Sequence, residues 1–150
     1  MEFSAASVTR SIELPVSAEE AWTSLRDGDG LAGWLGDVVD LPAIEPGAAG
    51  AVVDEGVVRR LVVTDVEAGR SIGFVWWDET APEDASTVTI AITPVDDGSS
   101  TVTVTERLAG GVVASLGAAS VSDLTATVGG AWDRRLGVLV GAGALADAFV

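Results

Sequence analysis

Hydrophobic and polar residues alternate along several stretches of the chain, which is the pattern of a β-strand with one buried face. The stretch SVTRSIELPV places Val8, Ile12 and Leu14 on one side, with Arg10 among them. Alternation returns in VVRRLVVTDV, RSIGFVWW, STVTIAIT and TVTVTERL, and the turn sequences DEG, EAG and PVDDGSS separate these segments. This succession of strands and short turns predicts an antiparallel meander.

Helical spacing follows the first strand. Ser17 and Glu20 have the spacing of a capping box, and Ala21, Trp22 and Leu25 recur at helical intervals. The stretch LAGWLG predicts a second short helix before DVVDLPAI returns to extended chain. The sequence thus predicts two short helices between the first and second strands.

The strongest helical pattern lies in AWDRRLGVLVGAGALADAF. We predict that this closing helix begins between residues 120 and 123, after a loop rich in small residues, and that the polar run 133–135 points away from the core. Such a helix needs an apolar partner surface, which the one-sided meander provides. Its apolar residues share one face: Trp132, Leu136, Leu139 and Val140.

Length and hydropathy predict a single soluble domain over residues 1–150. The chain has no run of about 18 uncharged apolar residues, and its start lacks the basic and apolar regions of a secretory signal. We therefore expect a cytoplasmic protein. Arginine without any lysine, together with abundant Ala, Gly and Val, is typical of a GC-rich bacterial genome.

The charge and the missing residue types exclude several classes of function. The formal net charge of −15 disfavours nucleic acid and anionic membranes, because affinity for both depends on basic side chains. The chain has no Cys and no His, so thiolate chemistry, the usual zinc ligands and Ser-His pairs are excluded. The acidic loops lack the full ligand series of a calcium loop, and we predict no metal.

The glycines of DGDGLAG, at positions 28, 30 and 33, have the spacing of a dinucleotide-binding loop, and Asp54 follows at about the distance of a ribose ligand. The context argues against this function. A helix and not a strand precedes the glycines, and Asp27 and Asp29 place negative charge where a pyrophosphate would lie. We interpret the segment as a glycine-rich connection between short helices and predict no cofactor.

The order of the segments resembles the START-like, or SRPBCC, superfamily, which includes polyketide cyclases, and within it the branch related to the activator of the heat-shock-protein-90 ATPase. ELPVSAEEAWTSL, LAGWLGD, VVTDVEAGRSIGFVWW, STVTIAITPVDDGSSTVTVTERL and AWDRRLGVLV carry the resemblance. It implies an α+β helix-grip fold, in which a curved antiparallel meander wraps around a long C-terminal helix and leaves an apolar cavity. The link over residues 109–123 is longer than the family's usual link into the last helix, so the resemblance does not determine how the cavity mouth is covered.

Inward strand positions and the apolar face of the last helix are the candidate cavity-lining residues. For each of them, packing in the core is the commoner explanation, since apolar stripes usually form the core. These candidates are Ile72, Phe74, Trp76, Ile90, Ile92, Val102, Val104, Trp132 and Leu136.

Aromatic and basic side chains complete the candidate site. Trp34 and Trp76 are candidates for the cavity mouth, or else pack the helix pair on the sheet. Arg10 either lies in the cavity as an anion-binding group or pairs with a surface acid. Arg59 and Arg60 are adjacent on a predicted strand, so one of them must face inward. The pattern does not decide which one, and Arg60 is taken as the candidate.

The function we predict is the binding of a small hydrophobic or amphipathic molecule without catalysis. One alternative is a cyclase or aromatase, in which Arg10 or Arg60 orients the carbonyl groups of a polyketide. The other is an interaction module that acts on a chaperone or regulatory partner.

Overall fold

The strands of the meander pair in chain order, and the first strand closes the sheet beside the last. The computed structural model describes residues 7–108 and 118–148, and within them seven strands are present. All neighbours are antiparallel, in the order β1-β7-β6-β5-β4-β3-β2. The strands are β1 (Ser7–Leu14), β2 (Val38–Asp40), β3 (Ala49–Asp54), β4 (Val57–Glu67), β5 (Ser71–Asp78), β6 (Ser86–Asp96) and β7 (Ser99–Arg107).

The hairpin between β3 and β4 has the two-residue turn that its sequence predicts. Glu55 and Gly56 have φ angles of 50° and 80°, and positive φ at both central positions is the mark of a type I′ turn. Register irregularities in β4 and β6, at Val63/Asp65 and Pro94/Asp96, bend the sheet further. The meander therefore curves, as predicted.

Two short helices lie between β1 and β2: α1 (Ala18–Trp22) and α2 (Gly28–Leu31). The hydroxyl of Ser17 accepts the backbone N–H of Glu20 at 3.1 Å, which confirms the predicted N-cap. The second helix begins at Gly28, earlier than LAGWLG predicts, because the carboxylate of Asp27 caps it by accepting the N–H of Gly30. The dinucleotide spacing therefore belongs to a capped helix pair.

The C-terminal helix, α3 (Ala118–Ala148), begins two residues before its earliest predicted start and includes the end of the loop predicted for residues 109–123. The rest of that loop, residues 109–117, lies outside the described residues. Trp132, Leu136 and Leu139 are buried as predicted. The prediction that residues 133–135 all face away is wrong for Arg135, which is only 3% exposed. Arg135 follows Trp132 by three residues and precedes Leu139 by four, so helical geometry places it on the buried stripe. No helix in the described ranges is long and apolar enough to cross a bilayer.

The core lies between the inner face of the sheet and α3, with the two short helices closing one side. Leu25, Leu31 and Leu35 are buried beneath the short helices, and Trp34 is buried with them. Towards the end of the sheet formed by the β3–β4 hairpin, the inward positions change from apolar to polar. This polar end contains Asp54, Arg59, Asp78, Ser86 and Glu106.

Replacing Gly30 by alanine is expected to destabilise the protein by about 1–3 kcal/mol, because a Cβ atom there would overlap the carbonyl oxygen of Thr23. The matched control is Gly137→Ala in α3, where a Cβ atom would meet open space. That control is expected to raise the free energy of unfolding by about 0.5–1 kcal/mol through helix propensity. Urea unfolding measures both; equal effects of the two substitutions would contradict this account.

Candidate functional site

A buried carboxylate joins the sheet to the C-terminal helix at the polar end. Glu106 of β7 is 6% exposed. Its Oε2 accepts the indole N–H of Trp76 at 2.9 Å, and its Oε1 accepts the indole N–H of Trp132 at 2.8 Å. The two indoles stack, with ring centroids 5.7 Å apart. Hydrogen bonds to an ionised acceptor are about twice as strong as neutral ones, so this group fixes both rings.

Arg135 forms the second buried charged group. Its guanidinium lies 4.6 Å from the ring centroid of Trp132 and 5.2 Å from that of Trp76. Its Nη2 is 3.0 Å from Oδ2 of Asp54, which also receives Nη2 of Arg134 at 2.8 Å. The hairpin tip of β3 and β4 is thereby tied to the helix.

The pKa shifts of this ion pair follow from burial and from the neighbouring charges. Burial alone would raise the pKa of Asp54, but hydrogen bonds and charges from Arg134 and Arg135 outweigh it, and the pKa lies below its ordinary value. Burial and then the positive charge of Arg59 lower the pKa of Arg135, against the opposite effects of Asp54 and Glu106. Both groups are ionised at neutral pH, because the lowered pKa of Asp54 favours its carboxylate and an arginine side chain keeps its proton in proteins.

A cavity of about 210 Å³ lies next to these charged groups, between β5, β6, β7 and the first half of α3. The guanidinium of Arg59 lies 5.0 Å from the ring centroid of Trp76, at the wall of this cavity. A 3-10 turn, Pro82–Asp84, brings an exposed acid to the rim. The walls are formed by Arg59, Trp76, Trp77, Asp78, Asp84, Ser86, Glu106, Leu108, Leu124 and Val128.

Of the predicted ligand-binding residues, Trp76 lies in the cavity wall. The other apolar candidates are buried in the core around the cavity but do not form its wall, so their contact with a ligand stays a prediction. They are Ile72, Phe74, Ile90, Ile92, Val102, Val104, Trp132 and Leu136.

The remaining candidates lie outside the cavity. Arg10 faces α3 on the apolar side of β1, where its Nε is 3.1 Å from Oδ1 of Asp133. The indole of Trp34 packs the helix pair and donates to the carbonyl oxygens of Ser24 and Gly30, both at 3.1 Å.

Arg60 projects from the outer face of the sheet, where it is 3.0 Å from Oε1 of Glu79 and paired in register with Trp77. Strand alternation explains this position, because Leu61 and Val63 are buried and Arg59 shares their side. Arg59 therefore takes the inward position for which Arg60 was the candidate.

The sequence analysis left the choice between Arg59 and Arg60 open, and it did not identify Ser86, Glu106 or the two apolar helix residues of the wall. The signals were present in the periodicity. Glu106 continues the inward series of Val102 and Val104, and Leu124 and Val128 precede Trp132 by eight and four residues on its helix face. The polar positions among these were not predicted because polar residues were assigned to the solvent-exposed face of each strand or helix.

Comparisons with known proteins agree with this geometry. A family model described as polyketide cyclase / dehydrase and lipid transport matches residues 5–142. DynU16, a protein of the dynemicin biosynthetic locus, is similar over 89% of this chain and 45% of its own, with 22% identity and a TM-score of 0.70. This chain thus spans about half the length of DynU16. No curated protein matches the sequence.

Two further solved structures resemble the chain. The Aha1 dimer from Colwellia psychrerythraea is similar over 91% of this chain and 95% of its own, with 16% identity and a TM-score of 0.71. An HSP90 activator from Plasmodium falciparum is similar over 67% and 71%, with 18% identity and a TM-score of 0.56. These likenesses confirm the helix-grip fold, and the family model confirms the resemblance to polyketide cyclases.

Replacing Asp54 by asparagine is expected to lower the free energy of unfolding by about 3 kcal/mol at pH 7, because it leaves the buried charge of Arg135 without its carboxylate. The pKa of Asp54 is depressed in the folded state, so its contribution is complete above the ordinary carboxyl pKa of about 4 and is lost as the pH falls through the lower folded value. The stability difference between wild type and variant should therefore shrink below about pH 4.

Urea unfolding at a series of pH values measures that difference. The control is Glu55→Gln, which removes an exposed carboxylate 3.4 Å from Nε of Arg134 and is expected to cost less than about 1 kcal/mol. A gap between wild type and Asp54→Asn that stayed constant to pH 2 would contradict the assignment.

Proposed function

Because the chain belongs to the polyketide cyclase / dehydrase and lipid transport family, we propose that it binds a small apolar or amphipathic molecule in the cavity beside Trp76, without catalysing a reaction on it. The composition of the cavity wall carries the proposal. Trp76, Leu108, Leu124 and Val128 provide apolar surface, and a few polar groups lie among them. Ligand sites typically combine a mostly apolar lining with a small number of placed polar groups.

The size of the cavity supports a small ligand. Its volume of about 210 Å³ is below the roughly 300–1,000 Å³ of sites for drug-sized molecules. Trp76 of the wall stacks on Trp132 behind it, and Glu106 holds both indoles, so this part of the wall is rigid. A rigid wall loses little entropy on binding, which favours affinity from a small contact area.

The absence of catalysis is proposed from the state of the polar groups. The chain has no His, Cys or Tyr. Glu106 is the buried carboxylate of the wall, and each of its oxygens already accepts an indole N–H. A carboxylate held in this way is poorly placed to accept a proton from a substrate.

Filling the cavity from the helix tests the proposal. Val128→Phe is expected to weaken binding of a neutral apolar probe, naphthalene-2-methanol, by at least about tenfold, because the larger ring takes up the space of the ligand. The matched control is Val138→Phe on the same helix, where the side chain is 45% exposed and lies outside the cavity wall.

Isothermal titration calorimetry measures both variants, and thermal melting verifies that each is folded. Equal affinities of the two variants, or a wild type that gives neither binding heat nor a melting shift at saturating probe, would overturn the proposal.

A further inference from the structure

The cavity contains a basic group that forms no ion pair with any described residue, and this deepens the proposed function, on which the inference rests. We infer that Arg59 selects a ligand with a single carboxylate, whose apolar body lies against Trp76 and the face of α3 that carries Leu124 and Val128. Ser86 supplies a second hydrogen-bond donor to the same head group.

Arg59 differs from most other arginines of the chain. Six of the eight arginines form ion pairs with carboxylates of the described residues. Arg59 and Arg107 form none there, although the chain has 23 acidic residues. Arg107 is exposed to solvent, whereas Arg59 is half-buried and forms part of the cavity wall. In a protein this acidic, a half-buried guanidinium normally pairs with a carboxylate. The carboxylate of a bound ligand would give Arg59 such a partner.

Stacking prepares Arg59 for this role. Its guanidinium lies 5.0 Å from the ring centroid of Trp76, and that ring is fixed by its hydrogen bond to Glu106. A guanidinium that covers an aromatic face keeps its N–H donors at its edge, where they can form a bidentate pair with a carboxylate. Less side-chain entropy is lost on binding, because the group is already ordered.

The acids of the wall do not occupy this group. Both oxygens of Glu106 accept indole N–H groups. Asp78 lies opposite Arg59 in the β4–β5 register but forms no ion pair with it. Its Oδ1 accepts the backbone N–H and the hydroxyl of Thr80, at 2.9 and 2.7 Å, and these hydrogen bonds, with a smaller effect from the charge of Arg59, lower its pKa. Asp84 is exposed at the rim. These negative charges favour a ligand with one carboxylate over one with several. The net charge of −15 would act on a ligand in the cavity mainly over distances greater than about 8 Å, and physiological salt screens charges at such distances.

Ser86 is the second observation that points to a ligand. It is 8% exposed and lies in the cavity wall, opposite Trp76 in the β5–β6 register. Among the described residues its hydroxyl has no hydrogen-bond partner. Every buried side-chain N or O atom of the described residues has a hydrogen-bond partner, so this unpaired hydroxyl is open to the cavity, where it can donate to a ligand oxygen.

The test compares three probes with the same naphthalene body, by calorimetry on the full chain. They are naphthalene-2-acetate, naphthalene-2-acetamide and 2-(2-naphthyl)ethylammonium. The acetate is expected to bind at least about tenfold more tightly than the ammonium probe. Arg59→Gln should weaken the acetate by at least about tenfold and change the acetamide by less than about threefold. Arg60→Gln is the matched control, since it removes the same charge from the outer face of the sheet.

Arg59→Lys keeps the charge but loses the planar fork, and it is expected to bind the acetate with intermediate affinity. Melting temperatures verify folding of all variants. An acetate that binds no better than the acetamide, or equal losses in Arg59→Gln and Arg60→Gln, would overturn the role of Arg59 and leave the proposed function intact. Failure of all three probes to bind the wild type would overturn both.

Discussion

The rest of this structure depends on the ionised carboxylate of Glu106, held between two indole N–H groups. A buried carboxylate costs several kcal/mol unless hydrogen bonds replace its water. Trp76 comes from the sheet and Trp132 from the helix, and each donates to a different oxygen. Both hydrogen bonds of Glu106 can form only when α3 has one rotation about its own axis and one position along the sheet. It therefore sets the position of the helix more narrowly than apolar packing would.

That position explains why a cavity forms where it does. From Trp132 onward, Leu136 and Leu139 are buried. One and two turns before Trp132, the helix presents Val128 and Leu124, which are smaller than the indole of Trp132, and β6 presents the small Ser86 to the same cavity. The indole of Trp76 is drawn towards Glu106 and does not fill this space. The opening thus follows from side-chain size and from one hydrogen bond.

Local sequence information was sufficient for most of the fold. Alternation, the DEG turn and the Ser17 cap are properties of short segments, and each is present where the sequence predicts it. The candidate site was harder to predict, because its side chains are charged residues at inward positions. Arg135 lies on the buried stripe of its helix, yet a polarity-based reading assigned it to solvent. Its burial depends on Asp54, which is 81 residues away in sequence, and no local pattern reveals such a partner.

Arg59 presented a different difficulty. Two alternating sets of apolar residues in β4 compete for the inner face of the sheet, and the sequence does not decide between them. In the structure Leu61 and Val63 are buried, and Arg59 belongs to their set. Arg60 was the alternative and lies on the opposite face. A one-residue difference in register moves every side chain of a strand to the other face, so an adjacent arginine pair is ambiguous until a neighbouring strand is placed.

Arg59 is the one arginine of the polar end that forms no ion pair with a described residue, and this makes it the group that would attract an anionic ligand. Arg135 has Asp54 as its buried partner, and Glu106 is stabilised by two indoles. The charge of Arg59 lies close enough to lower the pKa of Arg135, which is a mutual repulsion between like charges. A fold optimised for stability alone would place a neutral side chain at this position. A single carboxylate bound beside Arg59 would replace that repulsion by attraction, so the stability lost in the empty protein becomes affinity for the ligand.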